Sequence, residues 1–146
     1  MQVSGEFAFD IPINELWSSL LNPYYFGRLI PDIESIDKLE EETFRVYGDF
    51  NIKGRDRELS AILKILNKVE SNFISLGITQ EGTLGLLSAV VEFNLEETAE
   101  NKTLTTYKVT LKIPFILKAI FGKKLNVLIQ QNAIEFFQKL NEHLKS

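Results

Sequence analysis

The sequence contains no cysteine. Disulfides, thiolate metal sites and thiol catalysis are therefore excluded, and a reducing compartment fits. Histidine is almost as scarce, because His143 is the only one. It falls close to the C-terminus, where chains are usually loosely ordered, so a solvated side chain is expected there. Neither a histidine-dependent triad nor a metal site is expected on it. Basic charge is also short, with a formal net charge of −4. No nucleic-acid footprint is visible. The densest basic cluster, Lys112, Lys118, Lys123 and Lys124, reads as a solvated helix start. No run reaches the roughly 18 apolar residues of a membrane span. The opening MQVSGEFAFD has no basic leader and no long apolar run. No signal peptide is expected on that pattern, and the expected location is the cytoplasm. Gly82-Thr83-Leu84-Gly85 precedes a strand-like run rather than a helix, so it lacks the context of a phosphate loop. Glu40 to Glu42 and Glu96-Glu97 adjoin turns and read as hydrated. No cofactor is implied.

What is present is apolar bulk in regular patterns. The chain has 146 residues, 45% of them hydrophobic and eleven of them Phe. That is enough to bury a core without staples, and one domain over residues 1–146 is expected. The strongest pattern lies in residues 114–144. Phe121, Leu125, Leu128, Ile129, Ala133, Phe136, Leu140 and Leu144 recur at three-then-four spacing, one face of a long helix. Pro114 suits its first turn.

Ahead of that helix the chain alternates. Val3, Gly5, Phe7 and Phe9 predict a half-buried strand. Asn14 is the expected cap of a short helix to about Asn22, with Leu16, Trp17, Leu20 and Leu21 on its apolar face. Pro23 stops it, and Tyr24 to Ile30 form a second short helical piece before Pro31. From Ile33 to Ile113 the texture is strands and tight turns. Phe44, Val46, Gly48, Phe50 and Ile52 share one face, and Gly54-Arg55-Asp56 turns. Leu59 to Leu66 is β-rich with apolar residues on both faces. Phe73 to Gln80 follows, then Ala89, Val91, Phe93 and Leu95 on one face. After Glu100-Asn101-Lys102 come Tyr107, Val109, Leu111 and Ile113. Such spacing makes an antiparallel meander. Strands segregated from helices argue α+β.

Three stretches carry a family resemblance. They are Gly5-Glu6-Phe7 with Phe9, Pro12 and Trp17; the run from Gly27 to Ile36, GRLIPDIESI; and Lys53-Gly54. The chain resembles the START-like (SRPBCC, helix-grip) superfamily and, within it, the CoxG family, named for the CoxG component of carbon monoxide dehydrogenase. The resemblance implies a curved antiparallel sheet of about seven strands wrapped around the long C-terminal helix, with two short helices after the first strand. It also implies a cavity between sheet and helix. Members often have Gly-Cys after Ile-Pro, where this chain has Asp32-Ile33. Some carry an extra C-terminal tail implicated in membrane attachment, which this sequence does not show.

With that fold, inward parity assigns the cavity walls. Phe50, Ile52, Leu76, Ile78, Val91, Phe93 and Val109 come from the sheet; Phe121, Leu125, Leu128 and Phe136 come from the helix. Asn132 falls inside the helix stripe, and a buried amide needs a partner. It bonds nearby backbone or serves as a polar handle for a ligand. Phe26 and Ile30, with Tyr24 and Tyr25, lie between Pro23 and Pro31 and form a lid or a fixed plug over the mouth. Ile116, Ile120, Val127 and Ile134 make a second row at the helix back. Its candidate partners are a second copy of the chain, another protein, or the inner face of a membrane, where neighbouring lysines favour anionic headgroups.

The expected function is a non-enzymatic binding or carrier protein for a hydrophobic small molecule such as a lipid, an isoprenoid or a quinone-like compound. The resemblance implies a helper of a molybdenum hydroxylase system with an oxidoreductase partner. The alternative is a cyclase- or hydrolase-like enzyme using the same cavity. It would need polar groups aimed inward, and the inward faces offer almost none.

Overall fold

A seven-stranded antiparallel sheet holds the chain together. The structure is a computed structural model that describes residues 1–30, 32–52, 54–81, 87–113, 118–119 and 124–145, with side chains at 50–52, 57, 81 and 87 outside the description. β1 (Gln2–Phe9) is followed by α1 (Ile13–Leu20), α2 (Pro23–Phe26) and a 3-10 turn at Gly27–Leu29. Then come β2 (Ile33–Glu40), β3 (Thr43–Ile52), β4 (Arg55–Val69), β5 (Phe73–Glu81), β6 (Leu87–Ala99) and β7 (Lys102–Lys112). The described part of the long C-terminal helix, α3, runs over Lys124–Lys145. β2 to β7 form a simple meander, and β1 closes against β7. The two short helices therefore carry the chain from one edge of the sheet to the other.

Period-two patterning sets the register, since each residue of the inward set must face its counterpart. Leu76, Val91, Val109 and Val3 stand in one row across four strands. Ile74, Phe93, Tyr107 and Gly5 form the next row. Phe44, Leu63, Ile78 and Ala89 form a third. These rows make the inner face of the sheet, against which α1, α2 and α3 pack.

Local details differ from the expectations above. α1 begins one residue before Asn14, with Pro12 at the cap position and no side-chain cap bond. The rigid extended backbone of Pro12 (φ −62°, ψ 148°) delivers the chain into the helix instead. The β3–β4 hairpin is tighter than expected. Arg55 pairs with Ile52 and Asp56 with Asn51, so both are strand residues. Gly54 takes the left-handed conformation (φ 78°) that such a tight turn needs. The two-faced stretch of β4 is resolved by a register shift between Ile65 and Asn67. Leu63 and Ile65 are buried, while Leu66 is extruded and exposed. Leu66 lies over Gly77, where an added Cβ would come within 3.1 Å of it. Residues 114–117 and 120–123, including the start expected at Pro114, lie outside the described residues.

Candidate functional site

One end of the cleft between sheet and α3 is solid. Phe137 is 2% exposed. Its ring stacks on Phe7 at 5.6 Å and meets Phe9 edge-on at 5.7 Å. It also touches Phe93 at 5.9 Å and Tyr107 at 5.0 Å. Such aromatic pairs add about 0.5–1.5 kcal/mol each beyond area burial. Beyond them Asn141, 9% exposed, accepts a hydrogen bond at Oδ1 from the Asp10 backbone N–H (3.0 Å). The Thr103 hydroxyl donates to the Ile11 carbonyl at 2.9 Å. One polar group is left over: the buried Thr105 hydroxyl has no partner among the described residues. Asp10 ion-pairs with Lys102, and Lys145 stands 3.8 Å from its other oxygen. The Lys102 hydrogen bond and charge hold the Asp10 carboxyl below its usual range, helped by Asn141 and Lys145 and opposed by partial burial.

Beside Phe137 the sheet and the helices enclose a cavity of about 450 Å³. Leu63, Leu76, Ile78, Val91, Phe93, Tyr107 and Val109 form its sheet wall. Leu20, Phe26, Leu29 and Ile30 come from the short helices and the 3-10 turn. Ala133, Phe136 and Phe137 close it from α3. Phe26 meets Phe136 edge-on at 6.2 Å, bridging α2 to α3. The Tyr107 ring forms wall while its hydroxyl is tucked against Gly5, where a Cβ would lie 2.5 Å from it. Gly5 is required there by that close approach.

Polar side chains gather only at the rim. Asp32, Asn132, Glu135 and Lys139 line the cavity and are all exposed. Asp32 has φ 71°, a left-handed conformation in which Asp is tolerated and Gly is easiest. Its carbonyl accepts the Asp49 backbone N–H at 3.1 Å, fixing the turn.

Of the residues expected around the cavity, Phe26, Ile30, Leu76, Ile78, Val91, Phe93, Val109, Asn132 and Phe136 are brought together there. The side chains of Phe50 and Ile52, and Phe121 altogether, lie outside the described residues. Leu125 and Leu128 are not among the cavity walls; Leu128 is 41% exposed. Leu128 lies about 180° round the helix from Phe137 and turns away, whereas Leu125 shares the arc of Phe136 but stands about 16 Å earlier along the helix. Asn132 lies at the edge of the buried arc that Phe137, Leu140 and Leu144 centre. Asn132 is therefore not a buried amide; Asn141 is. In the segment expected as lid or plug, Phe26 is buried, whereas Tyr24 and Ile30 are exposed. Tyr24 packs edge-on against Phe44 at 5.7 Å. Of the row at the helix back, Val127 is 55% and Ile134 44% exposed, while Ile116 and Ile120 lie outside the described residues. His143 is exposed within the last turn of α3.

Several wall residues escaped the sequence. Tyr107 shares the parity of Val109, and Ala133 sits one turn before Phe136 and Phe137, so both were within reach. Leu63 was hidden by the two-faced pattern of β4. Glu135 and Lys139 carried no signal at all.

No group of three or more His, Asp or Glu residues is placed to hold a metal among the described residues. No helix among them is long and apolar enough to cross a membrane.

The family model for CoxG, a component of carbon monoxide dehydrogenase, matches residues 5–145. Comparison with curated proteins finds no match. Among solved structures, a conserved protein from Geobacillus kaustophilus is similar with a TM-score of 0.89 at 19% identity, over 99% of this chain and 95% of that one. A START superfamily protein from Mycobacterium smegmatis is similar at 0.71 and 13% identity, over 99% and 97%. The di-domain ARO/CYC BexL from the BE-7585A biosynthetic pathway is similar at 0.63 and 11% identity, over 100% of this chain and 50% of that one. At these identities the likeness establishes the fold alone, which is START-like.

Proposed function

The chain belongs to the CoxG family of carbon monoxide dehydrogenase components, and from that membership we propose that it is a non-enzymatic carrier of a hydrophobic small molecule held between sheet and α3. Family and fold suggest a hydrophobic ligand-binding protein. The single observation that carries the reading is the cavity of about 450 Å³, apolar inside and polar only at its rim. Its size falls in the range of about 300–1,000 Å³ that small-molecule sites occupy. A lipid, an isoprenoid or a quinone-like molecule suits such walls. The family also makes an oxidoreductase of the carbon monoxide dehydrogenase type the first partner to test, in the cytoplasm or at the inner face of a membrane. Exposed Val127 and Ile134 keep a second copy of the chain or an anionic membrane as candidate contacts.

The likeness to a di-domain ARO/CYC protein favours a second reading, an enzyme working in the same cavity. Against it, Asp32, Glu135 and Lys139 of the lining are exposed at the rim, and the buried walls carry no acid or amine among the described residues. The one buried hydroxyl-bearing wall residue, Tyr107, turns its oxygen toward Gly5.

Native mass spectrometry of protein purified from its own host tests the carrier reading. An apolar molecule should remain bound to the wild type and be lost from Val91→Trp, which fills the cavity at a cost of about 1–3 kcal/mol of stability. If neither protein retains a molecule and both take up an apolar dye equally, the carrier reading fails.

A further inference from the structure

The walls and the rim of the cavity differ in kind, and that difference specifies the shape of the cargo. We infer that the occupant is an amphiphile, with its apolar body inside and an uncharged head that both donates and accepts hydrogen bonds at the rim. This rests on the carrier reading above. Three observations lead to it. First, polarity is sorted by depth. The deep wall is Leu63, Leu76, Phe93 and Phe137, and Tyr107 presents its ring there rather than its hydroxyl. A buried polar group of a ligand would find no partner at that depth, at a cost that drives it outward.

Second, the charged and amide residues of the lining are all exposed, and three of them stand on one helix. Asn132, Glu135 and Lys139 follow one another at spacings of three and four along α3, so they form a single row. Asp32 joins the lining from the segment after the 3-10 turn. Third, these four side chains make no hydrogen bond or ion pair among the described residues. Glu135 and Lys139 have the spacing to pair with each other, yet they do not.

The head group follows from what the four can exchange. Asp32 and Glu135 only accept hydrogen bonds, Lys139 only donates, and Asn132 does both. A carboxylate head would have nothing to give Asp32 and Glu135. An ammonium head would have nothing to accept from Lys139. A hydroxyl-bearing neutral head satisfies both kinds.

Three probes with the same chain length separate these cases: monodecanoylglycerol, decanoate and decylammonium, titrated calorimetrically below their micelle-forming concentrations. The monoglyceride should bind at least about tenfold more tightly than either ion. Asn132→Leu and Lys139→Met should each weaken it about threefold to tenfold, the scale of one hydrogen bond. Both residues are exposed, so thermal stability should hold, which separates lost contacts from misfolding. If decanoate or decylammonium binds best, or if the rim variants bind the monoglyceride as well as wild type, the inference is overturned and the carrier reading stands. If no probe binds to folded protein, both fall together.

Discussion

The two halves of α3 occupy different surroundings, and the difference explains how one helix both fastens the fold and leaves a cavity. In the half from Phe137 onward, Phe137 packs on β1, β6 and β7, and Leu140 and Asn141 are buried as well. In the half from Lys124 to Asn132 no residue is buried, and Val127 and Leu128 are exposed. Dense aromatic packing fixes one end of the helix to the sheet. Beside that packing the sheet and helix leave a cavity, and of the first half only Asn132 lines it. Phe137 serves both ends, since it packs on β1, β6 and β7 and also closes the cavity. The exposed rim side chains Asn132, Glu135 and Lys139 take no part in that packing.

The sharpest way to break that contrast is to exchange burdens between the halves. Phe137→Ala should destabilise the protein by about 3–5 kcal/mol, the usual cost of deleting a buried aromatic. Leu128→Ala, on the exposed half, should stay within about 0.5 kcal/mol. Urea unfolding of both variants measures the two values. Similar losses would mean that the first half of α3 contributes to the core after all.

The sequence carried much of the fold and part of the site, for physical reasons that can be named. Alternation in β3, β6 and β7 was clean because each has one face on the core, and it put Val91, Phe93 and Val109 on the cavity side. It failed in β4, where the extrusion of Leu66 swaps the parity and apolar residues occur on both faces. On α3 the stripe was legible but its centre was not. Phe136 and Phe137 are adjacent, and periodicity alone cannot decide which faces the core. Choosing Phe136 as the centre turned Leu128 and Asn132 inward and left Phe137 and Asn141 out. Of the rim only Asn132 was read, since Glu135 and Lys139 look like any solvated helix face until the cavity beside them is seen.

The two amides of α3 give a test of intermediate size. A buried amide with one good bond and an exposed amide at a cavity rim should respond differently to the same change. Asn141→Ala strips the Asp10 N–H of its acceptor, and a partly buried donor left unsatisfied costs about 1–3 kcal/mol. Asn132→Ala should cost less than about 0.5 kcal/mol, as exposed substitutions usually do. Thermal melts of both, at equal pH and salt, rank them. The opposite ranking would place the structural amide at the rim and undo the division between the halves.

The smallest effect concerns the ion pair that ends the packed half. Lys102, first by its hydrogen bond and then by its charge, holds Asp10 below its usual range, with Asn141 and Lys145 adding to the shift. A carboxyl whose folded pKa is lower than its unfolded one binds fewer protons when folded. It therefore stabilises the protein above the unfolded value, about 3.9 for Asp. That contribution declines as the pH falls through the folded pKa, and below both values it is gone. Asp10 is substantially exposed and so is Lys102, so solvent screening keeps the effect modest. Asp10→Asn should thus be slightly less stable than wild type at neutral pH, and the gap should close as the pH is lowered past the ordinary carboxylate range. Raising the salt concentration at neutral pH should narrow the gap as well, because exposed charges are screened within a few ångströms at high ionic strength. Urea midpoints of both proteins across this pH range would show it. A gap that stays constant with pH would mean that Asp10 matters for its shape or its Asn141 contact and not for its charge.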